Sequence, residues 1–345
     1  MKRNDCIDIV KGFGIILVVL GHIISKETLK NFIYAFHMPL FFIISGMTLL
    51  YSIKKYKNIK KFLISKFKTI MIPYFFFSII SFIYWFFLER YARNQSEINP
   101  IIVFKNIFLM KVYELGYSFN VVMWFLPCLF VSIIISFILI KQKNNFLKFF
   151  CLFSIIFLGI VLNNFGIVLP LSIETSLIAI PFVILGYYIN YFNVIENKKY
   201  KYIFNLLPII FIIVNLFNET NEINMLNHKY GNFLLFYFNA ISISLLLFKV
   251  FKDCNCKLLS LIGNNSLIIM CLHEPIKRIV IKIMAKIIGV DTLLIRYNLL
   301  LSFVALIVII LIILPIAKVI NNHFKFVIGK TKLKESKLWR KKLQL

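Results

Sequence analysis

Acidic side chains are scarce in this chain of 345 residues: 14 Asp and Glu stand against 40 Lys and Arg, a formal net charge of +26. An excess of that size can mark a nucleic-acid partner, but here the basic residues lie between apolar runs. They read instead as orientation charge and as a surface for anionic lipid or an anionic ligand, so no nucleic acid is expected. Paired cysteines are missing too. The six cysteines, at 6, 128, 151, 254, 256 and 271, form no framework, and Cys254-Asn255-Cys256 is too tight for an ordinary zinc knuckle. His273-Glu274 does not open an HExxH motif, because Lys277 holds the fifth position; no metal site is expected. No internal repeat is visible, and no connection is long enough for a second domain. A cleavable leader is not expected either: the first apolar run contains Lys11 and leads to His22-Ile23-Ile24-Ser25 without a small-residue cleavage site.

What fills the chain is apolar. Sixty per cent of residues are hydrophobic and the mean hydropathy is +0.86, more than one soluble core of this size could cover. Runs near 20 residues read as membrane helices. Ten spans are expected, at about 7–25, 32–53, 70–89, 121–140, 146–163, 175–193, 201–217, 232–251, 258–273 and 297–319. The fold class is therefore all-α and polytopic, with one membrane domain over 1–319 and a basic tail over 320–345.

Every second connection is rich in lysine, beginning with Lys54–Lys68 and ending with the tail, and the opposite connections hold Glu89, Glu97, Glu114, Glu174, Glu219 and Glu222. The positive-inside rule then places both termini in the cytosol of a multi-pass cell-membrane protein whose first partner is the lipid bilayer. Residues 276–295 disturb the pattern, since Lys277, Arg278, Lys282 and Lys286 fall on one half of a helix and Ile279, Ile283, Met284 and Ile287 on the other. That stretch is expected as an interfacial helix on the outer surface or as one capping the site. A short surface helix is expected over 101–115, and Tyr91, Tyr113, Tyr117 and Trp124 form either an aromatic belt or a sugar platform.

The first two spans carry residues that lipid would not choose: Asp8, Lys11 and His22 on one, His37 and Ser45-Gly46 on the other. An ionisable group at membrane depth costs roughly 2.5–3.5 kcal/mol on insertion scales, so such residues need internal partners or a cavity. Lys11-Gly12 followed by His22 resembles the basic-Gly…His signature of the membrane-bound acyltransferase 3 family, and Phe41-Phe42-Ile43-Ile44-Ser45-Gly46 resembles its second motif. The phrase Phe36-His37-Met38-Pro39-Leu40 is most similar to the branch of fucose 4-O-acetylase-like sugar acetyltransferases. Trp124-Phe125-Leu126, Gly263-Asn264-Asn265-Ser266-Leu267 and Leu272-His273-Glu274-Pro275 also look familial. The resemblance implies transfer of an acyl group, acetyl above all, from acyl-CoA as donor substrate to a hydroxyl of an envelope glycan or glycolipid, with no bound cofactor.

Spacing makes that chemistry coherent. Lys11 and His22 share one helical face and lie about 16 Å apart along the axis, so one groove can offer a cation near the cytosol and an imidazole farther out. That suits a ligand with anionic phosphates at one end and a thioester at the other. His22 has the basicity near neutral pH for a general base. His37 lies at similar depth and either assists it or is an interfacial hydrogen-bonded residue. Asp8 is placed to pair with Lys11, Ser45-Gly46 to pack helices closely rather than attack, and Lys66, Lys68 and Tyr74 to meet the donor where the family has an arginine before Pro-Tyr. Asn265 and Ser266 add polarity inside span nine, His273-Glu274 closes its outer end, and His228 and His323 are expected to be solvated. A transporter or flippase that uses the buried Lys and His for proton coupling is the rival reading, although no inverted repeat or matching pair of broken helices accompanies it.

Overall fold

A computed structural model describes residues 3–110, 119–197, 206–207, 209–210 and 223–329. Most of the expected seventh span, Tyr113, Tyr117 and the tail beyond 329 lie outside the described residues. Among those described the chain is helical, and eight helices are long and apolar enough to cross a membrane.

In chain order α1 is Arg3–Ile23, α2 Glu27–Tyr34 and α3 His37–Lys55. Helix α4, Ile59–Ala92, contains two π-helical turns, Phe67–Met71 and Trp85–Glu89. There follow α5 Pro100–Leu109, α6 Val121–Lys141, α7 Asn145–Asn164, α8 Ile173–Tyr191, α9 Phe233–Phe251, α10 Lys257–Asn264, α11 Ser266–Ile288, α12 Thr292–Tyr297 and α13 Leu299–His323.

Two pairs of glycines set the closest helix contacts. A Cβ on Gly12 would meet Leu259 O of α10 at 2.0 Å, and one on Gly263 would meet Asp8 O of α1 at 1.8 Å. Across α3 and α8 the same reciprocity holds: Gly46 faces Val183 O and Gly186 faces Ile43 O, each at 1.9 Å. Lipid tails give helices no hydrophobic reason to associate, so backbone approach through small residues carries the packing. The apolar residues that remain exposed, such as Phe146, Phe149, Phe153 and Phe157 along α7, meet lipid.

Three boundaries differ from the expected ones. The basic linker Lys54–Lys68 is mostly helix, because α4 starts at Ile59 and its 34 residues make a rod of about 51 Å, well beyond the hydrocarbon thickness. The ninth span is divided: Asn265 leaves the helical region at φ −105° and ψ 8°, and α10 ends there. The stretch expected as a separate interfacial helix is instead the continuation of α11, which passes through Pro275 without a break. Proline lacks the N–H that would bond the carbonyl four residues back. Asn120 supplies the missing donor, its Nδ2 reaching Cys271 O at 2.9 Å and Ser81 Oγ at 2.8 Å. Ile279, Ile283 and Ile287 of α11 face outward, while Lys277 and Arg278 turn in.

Candidate active site

Helix α1 lies between α3, α10 and α11, and its inward face borders two cavities that follow one another. The inner, of about 180 Å³, is lined by Lys11, Ser45, Thr69, Phe125, Ser266 and other residues. The outer, of about 230 Å³, has His22, Tyr34, His37 and Trp124 on its walls, with Asn224 and Asn227 from the loop before α9. Val18, Met38 and Met270 border both. These three apolar side chains, one from each of three helices, form a collar between the largely apolar cavity that Lys11 borders and a histidine chamber.

The chamber is built on a buried charge network. His22 Nδ1 stands 3.8 Å from Glu274 Oε2 and 3.5 Å from Tyr34 Oη. The first distance is longer than a hydrogen bond. Lys277 Nζ donates to both Glu274 oxygens at 2.8 and 2.7 Å and to the His22 carbonyl at 3.2 Å. Arg278 bonds Glu274 on one side and Glu89 on the other, with 2.7 Å to Glu89 Oε1, and also donates to Phe119 O. Glu89 reaches the network because it ends the π-helical turn of α4, a device that shifts side-chain register at functional sites.

The histidine tautomers follow from their partners. His37 Nδ1 lies 2.9 Å from Ile33 O, and His273 Nδ1 lies 3.0 Å from Ile269 O. A carbonyl only accepts, so both Nδ1 atoms carry hydrogen and both Nε2 atoms of the neutral rings present a lone pair. The rings of His22 and His273 are 5.2 Å apart, and Tyr34 packs edge-on to His37 at 4.8 Å. His22, His273 and Glu274 offer ligand atoms within 4.8 Å of one another, a spacing that could hold a metal ion. Glu274 already faces two cations, Lys277 and Arg278, which would repel a divalent ion; the donor set suits an imidazole held by a carboxylate better.

Most residues singled out in the sequence converge here. Lys11 pairs with Asp8 at 3.1 Å on the wall of the inner cavity, Ser45 and Ser266 face that cavity, and Gly46 is a packing glycine. Trp124 and His37 line the chamber, and the buried His273 and Glu274 lie beside it. Asn265 accepts from Asn321 and ends α10, taking no part in either cavity wall. Three donor-binding candidates are placed elsewhere. Tyr74 is fully buried and its hydroxyl donates to Ile107 O at 2.8 Å, so it packs α4 against α5. Lys66 lies over the Phe62 ring at 5.5 Å, and Lys68 is exposed; their neighbours Thr69 and Ile70 reach the inner cavity instead. Glu89 and Glu174, read as loop acids, are buried, and His228 is half-buried with its Nε2 3.4 Å from Glu174 Oε1. His323 is exposed, as expected.

Sequence reading missed Tyr34, Glu89, Lys277 and Arg278. For the last two a signal existed, since Glu274 precedes them by three and four residues, the spacing at which opposite charges meet on a helix. A family model described as an acyltransferase domain matches residues 4–318. No curated protein and no solved structure matches the chain.

Proposed function

Because the chain belongs to the acyltransferase 3 family, we propose that this membrane acyltransferase moves an acyl group, acetyl above all, from acyl-CoA to a sugar hydroxyl of an envelope glycan, with His22 as general base. The observation that carries the reading is the succession along α1 of Lys11 on the inner cavity and His22 on the outer one, with Glu274 behind the imidazole.

As substrate closes the site, Glu274 moves in from 3.8 Å to accept the Nδ1–H of His22, which leaves Nε2 to take the proton of the acceptor hydroxyl. The hydroxyl oxygen attacks the thioester carbon, and the C–S bond breaks as the C–O bond completes. The imidazolium, stabilised by Glu274, returns its proton to the departing CoA thiolate. Glu274 stays ionised throughout, because Lys277 and Arg278 bind the carboxylate form. His37 accepts a second acceptor hydroxyl through its bare Nε2, and Trp124 offers a flat apolar face to the sugar ring. Lys11 attracts the donor phosphates to the inner cavity, and Lys66 and Lys68, which do not line it, add only to the general field. The collar of Val18, Met38 and Met270 grips the slender pantetheine arm. The acceptor is assigned from the resemblance of the Phe36–Leu40 phrase to sugar acetyltransferases, and the whole of 1–319 is taken as one catalytic domain.

The test is transfer of radiolabelled acetyl from acetyl-CoA to envelope glycan prepared from cells that lack this protein. The purified wild type should label the glycan, and His22→Ala should do so about 10²-fold to 10⁴-fold more slowly. Equal rates would remove His22 from the chemistry, and no labelling with any short acyl-CoA would remove the activity.

A further inference from the structure

The loop before α9 separates two cavities. Residues 224–227 line the histidine chamber, and residues 228–231 line a second cavity of about 330 Å³ together with Asn163, Asn164 and Phe233. The backbones of Asn224 and Lys229 bond each other at 2.7 and 3.0 Å, which folds the loop into a tight turn with one side toward each space. The two cavities therefore border successive residues of one turn.

The second cavity is polar and shaped. At its wall His228 is held at φ +57°, with its side chain 9% exposed and its Nε2 3.4 Å from Glu174 Oε1. The other Glu174 oxygen accepts the Leu169 N–H at 3.0 Å. Asn163 Oδ1 is buried without a hydrogen-bond partner. Tyr230 stacks on Phe233, with centroids 5.1 Å apart and planes 25° from parallel. A buried carboxylate–imidazole pair about breaks even against an apolar filling, and an orphaned amide oxygen is a net cost. Amide, imidazole and aromatic groups around a ring-sized space are what a saccharide unit recruits, and the volume falls within the range of small-ligand sites.

We propose that this cavity is an acceptor subsite that holds a sugar unit adjacent to the one presented to His22, with the 224–229 turn as the divider over which the glycan passes. The proposal rests on the reading of the acceptor as a glycan. It makes the enzyme selective for a chain of at least two sugars over a single sugar.

Binding can be read without turnover. Envelope glycan from cells lacking the protein is cut by partial hydrolysis, graded by length and fluorescently labelled. Its binding to the full chain in lipid nanodiscs, without acyl-CoA, is followed by anisotropy. Asn163→Ala should weaken binding of fragments of two or more sugars about tenfold and leave single sugars unchanged. Asn164→Trp, at the exposed rim and away from Glu174, should do the same by filling the mouth, which guards against misfolding as the cause. Equal loss for long and short fragments, no loss in either variant, or no binding of any fragment to the wild type would overturn the subsite. Length-selective binding in a protein that transfers no acyl group would keep the subsite and refute the proposed reaction.

Discussion

Glu274 meets Lys277, Arg278 and His22 at once, inside a chain that has few acids to spend. Its charge is balanced twice over, so it remains a carboxylate and can orient the imidazole without competing for the proton. Removing that charge leaves the buried Lys277 without its carboxylate, while Arg278 keeps Glu89, a change that costs about 3–5 kcal/mol in comparable buried pairs. Glu274→Gln should therefore lower turnover and the melting temperature together. His22→Ala should lower turnover and leave the melting temperature nearly unchanged. Paired activity and thermal-unfolding measurements separate the two outcomes; an equal fall in stability for both would make the histidine structural. Lys11→Arg keeps the charge and should retain partial activity, whereas Lys11→Ala should raise the KM for acyl-CoA. An unchanged KM in Lys11→Ala would place the phosphates elsewhere.

Helix α11 is where Asn120 compensates for a proline, and that leads to a prediction at the scale of the element. Asn120→Ala strips the donor from Cys271 O and should destabilise by about 1–3 kcal/mol, the cost of an unsatisfied buried acceptor. Pro275→Ala restores a helical N–H to the same carbonyl, so the double variant should recover part of the loss. A melting temperature for the double variant no higher than for Asn120→Ala alone would contradict the account. The glycine pairs act similarly on accumulation: Gly186→Leu or Gly263→Leu would force α3 from α8 or α1 from α10, and neither variant should accumulate as folded protein.

These elements also show what the sequence could disclose. Lys11 and His22 were legible because both sit in one apolar run, and their helical period put them on one face. Gly46 was legible as a packing residue for the same local reason. The partnership of His22 with Glu274 was not, because it is made by α1 and α11 from opposite ends of the chain, and no local period links them. Lys277 and Arg278 were visible as charges but assigned to a separate surface or capping helix, since the donor that compensates for Pro275 within α11 comes from Asn120 of a distant segment. Glu89 was read as a loop acid because a π-helical turn leaves no mark in the apolar pattern.

For the whole molecule the proposed topology places the lysine-rich ends of the helices in the cytosol. Cysteines introduced near Asn94 and Asn221 should be labelled by an impermeant reagent from outside. Those near Asn58, Asn197 and Lys334 should be protected in intact cells, with the native cysteines replaced. Labelling at Lys334 would overturn the arrangement. Given that orientation, the proposed reaction has the donor arm rise from the cytosol through the Lys11 cavity and the acceptor enter the histidine chamber from outside, the two cavities sharing Val18, Met38 and Met270. The most direct test uses sealed vesicles of known orientation, with labelled acyl-CoA confined to the cytosolic face and acceptor glycan confined to the other. The account predicts that label appears on the glycan without mixing of the two compartments; transfer that occurs only when both substrates share the cytosolic face would contradict it.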